Sequence, residues 1–125
     1  MNVKGIVWLG TRTERFDQMT EFCRTILGLS QKSSEPGFAV FEMPNGDLFE
    51  VFGSDQSMNE FMTHPVAGFL VDDIEAARAE MEVQGIQFIG PIHGDTDDYK
   101  WTHFRAPFGF VYELTHSTAH PSIAE

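Results

Sequence analysis

The sequence predicts an α+β fold, made of two tandem βαβββ modules in one domain of 125 residues. A strand, a helix ended by a glycine, and further strands occur once before residue 53 and again after residue 64. Two positions recur at similar spacing: the helix-ending glycines Gly28 and Gly85, and the glutamates Glu50 and Glu113 in the last strand of each half. Neither half is long enough to bury a sizeable core alone, so we expect the halves to fold as a pair.

The first module covers about residues 3–53. Its helix is predicted to begin at an N-cap, Thr13, and to end at a C-terminal glycine, Gly28. Apolar residues at helical spacing give this helix one apolar face: Phe16, Met19, Cys23, Ile26 and Leu27. The other elements are a strand at 3–11, a polar segment at 30–37, and strands at 38–43 and 48–52 that Asn45-Gly46 joins as a hairpin.

The second module covers about residues 64–116 and follows a polar linker at 53–63. Its helix is predicted to be capped by Asp72 and Asp73, with Glu75 placed as in a capping box, and to end at Gly85. The other elements are a strand at 66–71, a short strand at 86–89, a loop at 90–98 that contains His93, and strands at 101–105 and 110–115. Residues 117–125 have no periodicity and are predicted to be a loosely held tail.

The charge balance limits the partners of the protein. Nineteen Asp and Glu side chains oppose eight Lys and Arg, which gives a net charge of −11. Phosphate groups repel such a surface, so we expect neither nucleic acid nor an anionic membrane as a partner. The N-terminus has no signal-peptide pattern, no apolar run is long enough to span a bilayer, and Cys23 is the only cysteine. We therefore predict a cytoplasmic protein.

Four stretches resemble the vicinal oxygen chelate superfamily, which groups glyoxalases, bleomycin-resistance proteins and extradiol dioxygenases. They are FCRTILGL at 22–29, GDLFEVF at 46–52, VDDIEAARAEMEVQGI at 71–86 and FRAPFGFVYEL at 104–114. The resemblance implies that the sheets of the two modules curl into an incomplete barrel, with the helices outside and a ligand cavity inside. It also implies a homodimer, and a cavity used either for metal-assisted chemistry or for binding a drug.

Glu50 and Glu113 are the most informative positions for function. Each lies within an apolar strand, where a buried carboxylate without a partner costs several kcal/mol. Strand alternation places Glu50 on a face with Phe52, and Glu113 on a face with Thr115. In the metal-dependent proteins that the sequence resembles, both glutamate positions carry metal ligands.

The other two ligand positions that the resemblance implies carry no metal-binding residue. They fall on Trp8, or on Ile6 if the following loop is longer, and on Val66. Two carboxylates alone hold a metal weakly, so we expect no cofactor. The alternative is a divalent metal held by the two glutamates with help from His64 or His103.

Without a metal, Glu50 and Glu113 are expected to face a polar cavity. There they would bind water, groups of the ligand, or the guanidinium groups of Arg12 and Arg105. This interpretation and the metal site remain alternatives at the level of the sequence.

His103 and Glu113 are the predicted catalytic residues. If a five-residue loop, 106–110, joins the last two strands, these side chains face each other across the ladder, whereas a four-residue loop would separate them. A neighbouring carboxylate would raise the pKa of the histidine and suit it to general acid–base catalysis. The alternative is a strand histidine that is exposed or bonded only for structural reasons.

Aromatic side chains are predicted to line a pocket for a flat or hydrophobic ligand, with core filling as the alternative for each tryptophan. The turn Pro107-Phe108-Gly109-Phe110 exposes two phenylalanines where polar residues are expected, which indicates a subunit contact or a pocket lid. The predicted ligand contacts are Trp8, Glu50, Phe52, Tyr99, Trp101 and Arg105.

Three functions follow from these observations. The leading one is binding of a small organic molecule in an aromatic, Glu-lined cavity without the full four-ligand metal site, with its transformation left open. The second is a metal-dependent lyase, isomerase or dioxygenase that uses Glu50, Glu113 and a histidine. The third is a non-catalytic protein that sequesters a drug.

Overall fold

A computed structural model describes residues 1–55 and 59–123 of the chain. Residues 56–58 of the predicted linker and residues 124–125 of the predicted tail lie outside the described residues. The chain forms two compact units: the first unit is Trp8–Val66, and the second unit is Met1–Val7 together with Ala67–Glu125. That these units make one domain stays a prediction.

The division between the units falls inside the first strand, β1 (Val3–Thr13), and not at the predicted linker. Two ion pairs tie the N-terminal residues to the second unit. The terminal amine lies 2.7 Å from a carboxylate oxygen of Glu80, and Lys4 Nζ lies 3.5 Å from Asp72 Oδ1. The two units therefore each take a part of β1.

The first unit contains one helix and an open mixed sheet. After β1 come α1 (Phe16–Thr25), β2 (Ser30–Glu35), β3 (Phe38–Glu42) and β4 (Leu48–Gly53). The strand order is β2-β3-β4-β1, in which β1 and β4 are parallel and the other neighbours are antiparallel. The helix covers one face of this sheet, where Cys23, Ala39, Phe41 and Val51 form a buried cluster.

Helix α1 differs from its prediction at both ends. Thr13 belongs to β1, and its hydroxyl accepts the amide of Arg15 in a local turn, so Arg15 takes the N-cap position without a side-chain bond. The helix ends at Thr25, which leaves Ile26 72% exposed and Leu27 49% exposed instead of on the inner face. The predicted C-terminal glycine is correct. Gly28 has φ 66°, and the amide of Leu29 donates to the carbonyl of Cys23.

The predicted polar segment after α1 is a strand. Five of the six residues of β2 are exposed, which removes the alternation that identifies a strand in a sequence. Its backbone pairs with β3 on one side only, at the edge of the sheet. The pairing shifts between Gln31 and Ser33, an irregularity that is common at sheet edges and discourages pairing with other chains.

The second unit has the same arrangement. Its elements are β5 (Val66–Val71), α2 (Ile74–Val83), β6 (Phe88–Thr96), β7 (Tyr99–Arg105) and β8 (Val111–Ser117). The strand order is β5-β8-β7-β6, again with the first pair parallel and the others antiparallel. Short 3₁₀ turns cover Pro107–Gly109 and Pro121–Ile123. The predicted α+β class and the repeated βαβββ order are confirmed, and the four strands of neither unit close into a barrel.

Helix α2 is capped as predicted at one of two aspartates. The Asp73 carboxylate accepts the amide of Ala76 at 3.0 Å, whereas Glu75 does not complete a capping box. Glu75 instead binds Lys100 Nζ at 2.7 Å, and the contact lowers the pKa of its carboxyl and raises that of the Lys100 amine. The apolar face of α2 packs against Val71, Phe104 and Leu114.

The predicted loop at 90–98 is largely a strand, because β6 continues to Thr96. Its register against β7 shifts twice, between Ile89 and His93 and again between His93 and Thr96. Such irregular pairing, together with Gly90 and Gly94 at positive φ, hides the period of two by which strands are recognised. Among the described residues, no helix has the length and hydrophobicity that crossing a membrane requires.

Gly10 provides a stability test of the first unit. Its φ is ordinary, but a Cβ atom there would overlap Cη2 of the Trp8 ring, which lies over the glycine. We expect Gly10→Ala to lower the free energy of unfolding by about 1–3 kcal/mol, because Trp8 must move out of its packed position. Urea unfolding measures this loss.

The matched background for this test is Trp8→Leu, which removes the overlapping ring. Gly10→Ala is expected to be much less costly in Trp8→Leu than in the wild type. An equal loss in both backgrounds would show that the ring does not limit this position.

Candidate functional site

The two repeated glutamates occupy equivalent places in the two units. In the first unit, Glu50 is in register with Gly10 of β1 and Val40 of β3. In the second unit, Glu113 is in register with Gly68 of β5 and His103 of β7. Each glutamate therefore has a glycine on its parallel side, but only Glu113 has a titratable residue on its antiparallel side.

Both glutamates lie on the sheet face opposite the helix of their own unit. In the first unit, Phe49 and Val51 belong to the cluster under α1, so Glu50, between them in sequence, lies on the other face. In the second unit, Tyr112 and Leu114 pack in the cluster under α2, and Glu113 lies on the other face. These are the faces that strand alternation predicts.

His103, Glu113 and Thr115 form a buried polar cluster in the second unit. The register that places His103 opposite Glu113 is present, because Arg105 pairs with Val111 across a five-residue loop. His103 Nε2 lies 3.5 Å from Glu113 Oε2, and the Thr115 hydroxyl donates to Glu113 Oε1 at 3.2 Å. Glu113 is 2% exposed and His103 6% exposed.

The predicted rise in the pKa of His103 is wrong. Burial disfavours the charged imidazolium and lowers the pKa of His103 to about 4. Burial also raises the pKa of Glu113 well above its usual value, and the hydrogen bond from Thr115 only partly opposes this shift. The prediction assumed an ionised carboxylate, whereas desolvation favours the neutral form of both groups.

An aromatic row continues from this cluster along the same face. Trp101 is in register with Thr115, and its ring lies 5.6 Å from the His93 ring and 5.7 Å from the Tyr99 ring, measured between centroids. His93 stacks on Trp101 at an interplanar angle of 25°. All three rings are half-buried. The aromatic row (His93, Trp101 and Tyr99) thus lies beside the polar cluster.

The sequence analysis placed Thr115 on this face without giving it a role, and it missed His93. Thr115 shares the strand parity of Glu113, a signal that was available but was not used to assign it a role. His93 fell in a predicted loop, and the irregular register of β6 hid its pairing with Trp101. A strand assignment up to Thr96 would have placed His93 in the row.

The aromatic residues of the first unit have mixed environments. Trp8 is 5% exposed and packs with Met62 and Val66, so it fills the core of this unit. Phe52 is half-buried, with its ring centroid 6.5 Å from that of Trp8 and 5.1 Å from that of Phe38. Glu50 is also half-buried.

The two arginines considered as glutamate partners bond backbone carbonyls. Arg12 donates to the carbonyl of Ser54, and Arg105 donates to the carbonyl of Gly109 at 3.2 Å. The Arg105 bond connects the end of β7 to the 106–110 loop and supports the turn between β7 and β8. A ligand contact by Arg105 stays a prediction.

The turn after β7 contains the most exposed aromatic side chain described. Phe108 is fully exposed and has φ 70°, a left-handed conformation that is uncommon for a residue other than glycine. Phe110 is 56% exposed. The predicted exposure of this turn is confirmed, and its role as a subunit contact or lid stays a prediction.

Two surface depressions of the first unit lie away from the predicted ligand contacts. One, of about 360 Å³, is lined by Glu14–Gln18 at the start of α1. The other, of about 350 Å³, is lined by residues at 28–30 and 42–44. Neither contains Glu50 or an aromatic residue of the predicted pocket.

Comparison with known families identifies the relationship. The family described as the glyoxalase/bleomycin resistance protein/dioxygenase superfamily matches residues 5–114. The matched range includes all of β4 and the part of β8 up to Leu114. The chain belongs to this superfamily. A comparison with curated protein sequences finds no match.

Solved structures of low sequence identity share the fold of this superfamily member. A Mn(II)-bound glyoxalase from Novosphingobium aromaticivorans has 19% identity and a TM-score of 0.74, over 94% of this chain and 40% of that one. A superfamily member from Vibrio splendidus 12B01 has 14% identity and a TM-score of 0.65, over 87% and 96%. A variant of the Streptomyces coelicolor methylmalonyl-CoA epimerase, bound to 2-nitronate-propionyl-CoA, has 17% identity and a TM-score of 0.65, over 94% and 100%.

The side chains of this superfamily member do not fit a four-ligand metal site. Trp8 and Val66, at two of the implied ligand positions, offer no donor atom that binds a divalent cation. His64 precedes β5 and has its Nδ1 atom 3.0 Å from the carbonyl oxygen of Pro65. Within residues 1–55 and 59–123, no three or more His, Cys, Asp or Glu side chains are grouped closely enough to hold a metal ion. We derive no chemical step through a metal.

The depressed pKa of His103 has a consequence for acid stability. Below pH 6.5 the unfolded chain protonates this histidine, whereas the folded protein does so only near pH 4. Stability is therefore lost as the pH falls through this window, by about 3 kcal/mol at about 1.4 kcal/mol per pKa unit. Urea unfolding at pH 7 and at pH 4 measures this loss. Between the two pH values, the wild type should lose about 3 kcal/mol more stability than His103→Gln.

Proton NMR of the His103 ring provides the direct check. Its carbon-bound proton signals are expected to titrate near pH 4, and a midpoint above 6.5 would contradict the assignment of burial as the main cause.

The raised pKa of Glu113 has the opposite pH dependence. The unfolded chain ionises this carboxyl above about pH 4.5, whereas burial in the folded protein favours its protonated form, so stability is lost as the pH rises above about 4.5. Glu113→Gln cannot ionise, and its stability relative to the wild type should rise between pH 5 and pH 8. Urea unfolding at both pH values measures this difference.

Glu35→Gln on β2 is the matched control, since Glu35 is exposed at the sheet edge. It is expected to keep the pH dependence of the wild type. A constant difference between Glu113→Gln and the wild type across this range would mean that Glu113 is ionised in the fold.

Proposed function

We propose that this protein binds a small organic molecule and that His103 and Glu113 transfer a proton to or from it. The observation that carries the proposal is the buried pair itself, with Nε2 and Oε2 3.5 Å apart in the centre of two neighbouring strands. Structural residues of a sheet core are seldom a histidine and a glutamate, because burial of either group has a large desolvation cost. Such perturbed pairs are concentrated at functional sites.

The protonation states of the pair suit proton transfer near neutral pH. The raised pKa of Glu113 favours the protonated carboxyl group, which can act as a general acid. The lowered pKa of His103 keeps the imidazole neutral, so that one of its nitrogen atoms can accept a proton. The pair therefore combines one donor and one acceptor without a net charge.

The aromatic row supports the class of ligand. Trp101 and Tyr99 present half-buried rings beside the polar cluster, as expected for contact with a flat or apolar group. In the first unit, Phe52 and Glu50 are half-buried and remain proposed ligand contacts. Trp8 and Arg105 also remain proposed ligand contacts, although Trp8 packs in the core and Arg105 bonds the carbonyl of Gly109.

The proposal does not use the full four-ligand metal site. Glu113, at one implied ligand position, is paired with His103, and Trp8 and Val66 offer no ligand at two others. A metal-dependent lyase, isomerase or dioxygenase would need donors that the described residues do not group together.

Assembly and location are further parts of the proposal. We infer a homodimer in the cytoplasm, and the exposed rings of Phe108 and Phe110 support a contact with a second copy. Light scattering tests this point. If the dimer uses this turn, Phe108→Ser should weaken the contact, and the mass measured in solution should fall towards that of a monomer. An unchanged dimer would exclude the turn from the contact.

Solvent exchange of a carbon-bound hydrogen tests the proposed proton transfer. Methylmalonyl-CoA, which a similar epimerase binds in its crystal structure, is the first member of a panel of acyl thioesters and hydroxycarbonyl compounds. In heavy water, the wild type should exchange the hydrogen next to a carbonyl group of its substrate, followed by proton NMR. Glu113→Gln and His103→Gln should each be slower by about 100-fold or more.

Glu35→Gln is again the matched control and is expected to exchange at the wild-type rate. Saturable binding of a panel member without exchange would contradict proton transfer and favour the sequestering alternative. Exchange that is retained in both pair variants would place the chemistry elsewhere.

A further inference from the structure

We infer that Arg78 of α2 is a positioning residue that holds His93 against Trp101, and that this stacked pair gives the protein a preference for a ligand with an aryl group. The inference rests on the proposed function and names the part of the ligand that the aromatic row recognises. It follows from side-chain bonds on the helix side of the second unit, which the proposed function does not use.

The contact between His93 and Trp101 exists because β6 contains extra residues beside β7. Ile89 is in register with His103, and His93 is in register with Trp101, so β6 takes four steps where β7 takes two. In a regular antiparallel pairing, residue 91 would lie opposite Trp101 instead. The bulge at residues 90–92 therefore brings the imidazole of His93 beside the indole.

Arg78 and Thr102 bond two carbonyl groups of this bulge. Arg78 Nη1 donates to the carbonyl of Gly90 at 2.9 Å and to the Thr102 hydroxyl at 3.0 Å. The Thr102 hydroxyl in turn donates to the carbonyl of Pro91 at 3.4 Å, and Thr102 is 0% exposed. Because backbone carbonyls in an irregular part of a sheet need partners outside the regular ladder, these bonds fix the path of β6 through the bulge.

Other contacts hold the guanidinium of Arg78 in this position. Its central carbon lies 4.7 Å from the centroid of the Phe88 ring, and its Nε lies 3.5 Å from Glu82 Oε1. The residue that ends the bulge, Ile92, packs in the cluster under α2. Strand alternation then places His93 on the opposite face, where the polar cluster lies.

The stacked pair offers a flat surface beside the polar cluster. The ring centroids of His93 and Trp101 lie 5.6 Å apart with 25° between the planes, and both rings are half-buried. An aryl group of a ligand can gain an offset-stacked or edge-to-face contact with such rings, whereas a small alkyl group gains little. Loss of the bonds to the bulge would let His93 leave Trp101 and reduce this surface.

Proton NMR of the free protein tests the positioning role of Arg78. In the wild type, nuclear Overhauser effects should connect the ring protons of His93 and Trp101. Arg78→Met removes the donors, and Thr102→Val removes the hydroxyl at nearly constant shape, so each variant should weaken these effects. Thr102→Ser keeps the hydroxyl and should restore them.

Glu75→Gln is the matched control. It weakens another contact between α2 and β7, the ion pair with Lys100, without touching the bulge, and it should keep the effects between His93 and Trp101. Unchanged effects in Arg78→Met would overturn the positioning role. Their loss in Glu75→Gln would overturn it as well, because any weakening of the helix contact would then be sufficient.

Calorimetric binding of two probes tests the preference for an aryl group. The probes are α-hydroxyacetophenone and hydroxyacetone, which differ by a phenyl group in place of a methyl group. The wild type should bind the phenyl probe more tightly, and Arg78→Met should lower that affinity by about 5-fold while leaving the affinity for hydroxyacetone unchanged.

Two results would overturn the aryl preference: equal wild-type affinity for both probes, or an equal loss of affinity for both in Arg78→Met. Binding with the expected preference, but without hydrogen exchange, would instead overturn the proposed proton transfer alone, since the stacked pair does not depend on that step.

Discussion

The burial of Glu113 beside His103 is the constraint on which the functional interpretation depends. Water solvates a carboxylate far better than a sheet interior does, so a glutamate that is 2% exposed loses much of the stabilisation of its charge. The neighbouring imidazole is also buried and does not supply a full compensating charge. Burial therefore favours the neutral forms of Glu113 and His103 over an ion pair, and Thr115 bonds the Glu113 carboxyl.

The repeated architecture explains why this constraint exists in one unit only. Both glutamates are adjacent to a glycine of the parallel strand, so the backbone gives each of them a similar place. The antiparallel neighbour differs, since Val40 is opposite Glu50 and His103 is opposite Glu113. Glu50 is half-buried and can keep contact with solvent or a ligand. One repeat therefore holds a half-buried carboxyl group, and the other holds a buried carboxyl group beside a histidine.

The sequence predicted those parts of the molecule whose pattern is local. The glycines that end the helices, the Asp73 cap and the face of each glutamate strand follow from periodicity and local bonding. The edge strand β2 and the continuation of β6 were missed, because exposure on both faces and shifted register remove the period of two. The contact of His103 with Glu113 depended on loop length, whereas the protonation of the pair depended on burial, which one sequence does not reveal.

Superfamily membership and the local chemistry support different levels of conclusion. The family match and the similar structures establish the fold, but at identities of 14–19% they do not establish a shared reaction. The residues at the implied metal positions point away from the chemistry of a Mn(II)-bound relative, since Trp8 and Val66 cannot replace ligands. The proposal that remains must use groups that are present, and the Glu113–His103 pair is the one place in the described second unit where an acid and a base are buried in contact. In place of a metal, the proposed chemistry uses a carboxyl group and an imidazole that two neighbouring strands hold 3.5 Å apart.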